Sequence, residues 1–272
     1  MRIQLGYSND PDDAFMVWAL AEQRIDTRDF EFDLVPADIQ TLNEWALEAR
    51  LEVTALSVAA YPQVRDRYAI LPHGASLGIG YGPIIVSRAP IPIARLRETE
   101  LVIPGRMTTA FLVARLALGD FRFRELPFDR ILDEVRSGQA DAGLLIHEGQ
   151  LTYGAAGLVK SLDLGEWWEQ ETGLPLPLGV NAVRRDAERI TELSEVLRES
   201  IEAALAHRDE ALAYALAFAR DLNVTDADRF VELYVNEYTR DLRSEGRRAV
   251  EELLRRASDD PVKVDFVATL TS

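Results

Sequence analysis

The sequence has 272 residues, 46 acidic against 30 basic side chains, a formal net charge of −16 and no cysteine. That acid excess excludes a surface able to neutralise a row of phosphates, and with it nucleic acid as a partner. The missing cysteines exclude disulfides, iron–sulfur clusters, thiolate metal sites and a cysteine nucleophile. A 47% hydrophobic share, with 16 glycines and 12 prolines, is ordinary globular composition. At roughly 100–200 residues per domain it fits one large domain or two lobes. The three histidines, His73, His147 and His207, have no zinc-motif spacing, and Lys160 and Lys263 are the only lysines. The opening MRIQLGYSNDPDD turns polar at once, and no run reaches the roughly 18 apolar residues of a membrane span. The expectation is a cytoplasmic protein with no membrane partner.

In chain order, short apolar runs alternate with helix-period segments, the pattern of an α/β fold with a mainly parallel sheet. Residues Ile3–Tyr7 form a first strand, and Asp12 or Asp13 is expected to cap the helix that follows. The alternating FEFDLV of Phe30–Val35 reads as a strand. Asp38 then caps a helix whose Leu42, Trp45, Ala46 and Ala49 share one face. A short buried strand follows at Val53–Ser57. The glycine-rich Gly74–Pro83 leads into the strand Ile84–Val86, not into a helix, so it reads as a flexible connection and not as a phosphate cradle. Pro-rich Ala89–Ile93 suggests a lobe crossing, after which Leu101–Pro104 is a strand and Thr108–Leu118 a helix. A helix at Phe128–Ser137 and a buried strand at Ala140–Ile146 complete the second α/β unit, Leu178–Val183 returns as a strand, and the rest from Ala187 is nearly all helical. The expected division is residues 1–89 with 180–272 as one lobe and 90–179 as the other, with a cleft between them.

Ligands in open α/β sheets bind at the carboxyl ends of strands. Polar groups stand at three such ends: Ser8, Ser57 and His147. Thr108 and Thr109 open a helix, so they are either caps or, with their N–H groups, an anion site at the positive end of the helix dipole. His147 follows the apolar run Ala142–Ile146, where it is either a core histidine or a base, since imidazole is well poised to take a proton near neutral pH. Ser57 lacks a nucleophile elbow and reads as a pocket hydroxyl. The trio Asp10, Asp12 and Asp13 is the composition of a magnesium cluster and equally of an acidic helix start, and no metal is expected. Trp167-Trp168 would stack on a ring or pack under a loop.

Four ungapped segments carry a resemblance: TLNEWALEARLEVTALSVAAYPQVRDRYAIL, IPGRMTTAFLVARLAL, PFDRILDEVRSGQADAGLLIHEGQLTY and GLVKSLDLGEWWEQETGLPLPLG. With them, most of residues 1–190 resembles the 1,4-dihydroxy-6-naphthoate synthase family of the futalosine route to menaquinone. The resemblance implies a two-lobed, periplasmic-binding-protein-like (type II) fold. It implies that Ala55, Leu56, Ser57, Thr109 and Ala110 line the substrate pocket and that His147 is the base. It further implies release of the naphthoate from cyclic de-hypoxanthine futalosine, a small aromatic carboxylate chemistry needing no metal or cofactor. The chain departs from that family's pattern at Ser8–Phe15, where SNDPDDAF replaces SPCPNDTF, at Ala55, where a lysine is common, and at Val180-Asn181. Chorismate dehydratase of the same pathway and a non-catalytic binding protein for an aromatic carboxylate are the alternatives. The segment through His147-Glu148-Gly149 and Thr152-Tyr153 favours the synthase.

Overall fold

A computed structural model describes residues 1–219, 222–258 and 262–268. The chain divides into two units, Met1–Leu77 with Pro177–Ser272, and Gly78–Leu176. The expected division at 89/90 and 179/180 differs most at its first boundary. The strand after Pro83 pairs inside the second unit's sheet, so the chain has already changed units before the Pro-rich stretch.

Eleven strands are described: β1 (Arg2–Ser8), β2 (Glu31–Ala37), β3 (Val53–Ser57), β4 (Tyr68–Ile70), β5 (Ser76–Gly78), β6 (Ile84–Ser87), β7 (Leu101–Ile103), β8 (Phe123–Glu125), β9 (Ala142–Leu145), β10 (Val159–Asp163) and β11 (Leu176–Arg184). The first sheet runs β2-β1-β3-β11-β4, with β5 also on β11. Its β1 is parallel to β2 and β3, with Leu5 beside Leu34 and Val53, whereas β11 runs antiparallel to β3 and β4. The second sheet runs β10-β6-β9-β7-β8, with β6 antiparallel to β9 and β10 and β7 parallel to β8 and β9. Leaving β5 aside, the strands of each sheet run mainly parallel, with a single strand reversed in each. Apolar runs alone do not carry strand direction, and the reversed strands are β6 and β11.

In the first unit, α1 (Pro11–Ala21) is buried on all sides from Ala14 to Leu20, as a core helix must be when it is apolar all round. It packs against Leu193, Val196, Leu197 and Ile201 of the helix Ile190–Ala206, and Ser200 Oγ donates to the Met16 carbonyl at 2.8 Å. Its cap is Asp10, whose carboxylate accepts from the Asp13 N–H, and not Asp12 or Asp13, because Pro11 already occupies the first helical position. Asp38 caps α2 (Ile39–Leu47) by accepting from the Thr41 N–H at 3.0 Å. Ala49, expected on this helix, lies past its end with φ 53°.

The second unit buries Ile84, Val86, Val102, Ile131, Val135 and Leu145 in one cluster. There the helix Leu164–Thr172 begins against the Tyr81–Gly82 backbone, so closely that a Cβ on Gly165 would fall on the Tyr81 carbonyl and the Gly82 nitrogen. Backbone cannot swing aside as a side chain can. Gly165→Ala is expected to cost at least about 3 kcal/mol, the upper range for overpacking. Gly154→Ala, with nothing within 4 Å of the added methyl, should be close to neutral. Thermal melts of the two variants check this.

Candidate functional site

Ser57 closes β3 and is 3% exposed. Its N–H donates to Asn43 Oδ1 and its Oγ accepts from Asn43 Nδ2, both at 2.9 Å. Upstream on the same strand, Ala55 packs with Leu42 and Leu51, and Leu56 is fully buried opposite Val180 of β11. These two residues set the strand that delivers Ser57, and Leu56 has no side-chain surface to offer.

Ser8 ends β1, but its hydroxyl donates to Asp10 Oδ2 and its N–H to Asp13 Oδ2, both at 2.6 Å. Thr108 is the cap of the ten-residue helix Thr109–Leu118. Its hydroxyl donates to the Gly105 carbonyl at 2.8 Å and accepts from the Phe111 N–H at 3.2 Å. Each of these hydroxyls is committed to a local turn or cap, the cap being one of the two roles left open for Thr108 by the sequence. Thr109 and Ala110 open the helix at its positive end, where an anion is favoured. Thr109 is 2% and Ala110 3% exposed.

His147 stands just beyond β9 with φ 51°, the left-handed region that a non-glycine residue enters at a cost. Its ring meets Phe128, the first residue of the helix Phe128–Arg136, edge-on at 4.7 Å between centroids. The strained backbone and the aromatic wall together hold the imidazole at the strand end. Phe128 was not signalled by the sequence pattern, in which it reads as an ordinary helix start.

The other histidines do different work. His73 is 2% exposed and bonds Ser194 Oγ through Nε2 at 2.9 Å, while among the described residues its Nδ1 has no hydrogen-bond partner. Burial, and then the nearby Arg198 charge, push its pKa down to about 4. His207 is surface-exposed beside Glu210. Trp168 is fully buried and donates Nε1–H to the Pro175 carbonyl at 3.1 Å, which makes it a core residue and not a stacking platform. Carboxylate oxygens of Asp10, Asp12 and Asp13 lie within 4.8 Å of one another, all buried. Four protein donors already address this trio: the Ser8 hydroxyl, the Ser8 and Asp13 N–H groups and the Ser76 hydroxyl. The trio also sits at the positive end of α1, where a helix favours anions over cations. Burial first, and then the charges of Asp10 and Asp13, hold the Asp12 carboxyl well above the usual carboxylate range.

Residues 3–259 match the model of the family described as menaquinone biosynthesis. The chain belongs to that family. A Thermus thermophilus 1,4-dihydroxy-6-naphthoate synthase is 44% identical over 257 residues, covering 94% of this chain and 93% of that protein. A Streptomyces coelicolor protein of the same name is 38% identical over 264 residues, with the same coverage. A crystal structure of an Archaeoglobus fulgidus protein is 43% identical at TM-score 0.90, covering 94% and 96% of the two chains. A Candida albicans protein described as having the generic periplasmic binding protein fold aligns at TM-score 0.71 and 12% identity, over 96% and 93%, and shows the fold alone. The fold is thus periplasmic-binding-protein-like. Among the described residues no helix is long and apolar enough to cross a membrane.

Buried His73 and Asp12 each link stability to pH. A histidine whose folded pKa lies below its unfolded value of roughly 6.5 binds its proton more readily when unfolded. His73 therefore leaves stability untouched above pH 6.5 and removes it as pH falls toward 4, by about 3 kcal/mol in all. Denaturant titrations at pH 7 and pH 5 should show this loss, and His73→Gln should flatten it. Asp12 has the opposite sign. Its raised pKa costs stability as pH climbs above roughly 4, where the unfolded carboxyl ionises and the folded one does not. Asp12→Asn should accordingly melt higher than the parent chain at pH 8.

Proposed function

We propose that the chain is a 1,4-dihydroxy-6-naphthoate synthase, a lyase that cleaves a carbon–carbon bond of cyclic de-hypoxanthine futalosine with His147 as general base. The observation that carries the reading is the pair of relatives of that name, aligned over 93% of their own length. Support for the base is local. A histidine that accepts φ 51° at a strand end, against an aromatic wall, is held where its ring rather than its backbone is wanted.

In this reading His147 removes the first proton, and the electrons freed from the breaking carbon–carbon bond pass into the forming aromatic ring. Aromatisation supplies the driving force, so one positioned base is enough, and the proposal routes no step through a metal or cofactor. Ser57 would donate its hydroxyl, and Thr109 and Ala110 their N–H groups, to oxygens of the substrate. Ser8 and Thr108 would act one step back, because their hydroxyls hold the turn and the cap. The aromatic carboxylate substrate is small and water-soluble, in keeping with a cytoplasmic location.

The test is incubation with cyclic de-hypoxanthine futalosine and detection of the naphthoate by mass, before and after dialysis against EDTA. Product in both samples is expected. Product only when metal is returned would overturn cofactor independence, and turnover of chorismate in place of the futalosine would overturn the substrate assignment. His147→Ala is expected to fold normally and lose on the order of 10²–10⁴-fold in kcat, the usual worth of a positioned base. Steady-state kinetics with a circular dichroism control measure both.

A further inference from the structure

Asn43 lies in α2 and is wholly buried, yet periodicity places it beside the apolar stripe and gives it no task. Its amide is used twice on a single neighbour. The Ser57 N–H has only a proton to give, so the group facing it at 2.9 Å must be the amide oxygen. That fixes the other end of the amide: Nδ2 faces Ser57 Oγ at 2.9 Å and donates to it. A hydroxyl that accepts from an NH₂ group cannot also aim its own proton at that group. Among the described residues, the Asn43 amide is the bonded partner of this hydroxyl. Its proton is therefore turned away from Asn43, at the carboxyl end of β3.

We propose that Asn43 is a positioning residue that holds Ser57 as a hydrogen-bond donor, so that this strand end recognises an acceptor on the ligand, a carboxylate oxygen of the naphthoate class. The inference rests on the reading of Ser57 as a substrate contact. It adds the polarity of that contact and the side chain that sets it. An unclamped serine hydroxyl serves donors and acceptors alike, because it rotates to suit. A clamped one discriminates, and a hydrogen bond to a charged acceptor is among the stronger kinds.

Binding of 2-naphthoate and of its neutral amide, 2-naphthamide, to the full chain by calorimetry tests this. Asn43→Asp keeps an acceptor for the Ser57 N–H but removes the Nδ2 donor, so the Ser57 proton turns inward to the carboxylate. Naphthoate affinity should fall on the order of 10-fold or more, while naphthamide, which carries its own N–H donors, should change far less. Asn43→Leu separates polarity from added charge. It should weaken naphthoate binding in the parent chain and have no further effect in a Ser57→Ala background. Additive losses would mean that Asn43 acts through packing alone and would overturn the proposal, as would an unchanged naphthoate-to-naphthamide ratio in Asn43→Asp. If Ser57→Ala binds naphthoate like the parent, or the parent binds none, the Ser57 contact itself is wrong and the proposal falls with it. If Ser57→Ala loses binding and the Asn43 variants do not, only the role of Asn43 falls.

Discussion

Strand β11 carries the chain back from Leu176 to Arg184 between β3 and β4, and the first unit's sheet depends on that return. Without it β3 would be an edge strand, and β4 and β5 would have no sheet to join. Buried Val180, Ala182 and Val183 sit in register with Leu56, Thr54 and Val53, so the insertion satisfies backbone groups and apolar surface together. The same register places Gly179 opposite Ser57. The residue proposed to contact substrate is thus held by a segment more than a hundred positions away in sequence. Such a pairing is costly to close and rigid once closed.

The polar strand ends and helix starts are not equivalent, although the sequence shows them all as small hydroxyl residues. At Ser8 and Thr108 the hydroxyl is spent inside the protein, on Asp10 in one case and on a helix cap in the other. At Ser57 it is turned outward by Asn43. A hydroxyl's usefulness to a ligand is decided by where its own proton is already spent. The acid trio at α1 shows a related economy. Asp10 and Asp13 fasten the turn after β1, and their charges, after burial, help hold the Asp12 carboxyl above the usual carboxylate range.

Much of this was legible in the sequence. The strands β1, β3, β9 and β11 are apolar runs with clear punctuation, and the Asp38 and Thr108 caps precede helix-period segments. His147 at the end of β9 follows from the abrupt change from LLI to HEG. The short strands β4, β5, β8 and β10 were not legible, because three to five residues are too few to carry a period of their own. The reversal of β6 and of β11 was not marked, because an apolar run does not carry direction, and the Asp10 cap was missed because Pro11 shifts the helix start upstream of the acids. Asn43 and Phe128 could not be found from pattern at all. Each matters through one tertiary contact, with Ser57 and with His147.

The central claim is that His147 contributes chemistry and not merely a loop conformation, and chemical rescue addresses it directly. In the His147→Ala chain the strained loop keeps a small residue while the ring is gone. Added imidazole should restore part of the lost turnover of cyclic de-hypoxanthine futalosine. The restored rate should rise with the fraction of imidazole present as free base and should differ among substituted imidazoles in the order of their basicity. Turnover that stays flat across the imidazole series, in a variant that still binds the naphthoate, would contradict the assignment of His147 as the base.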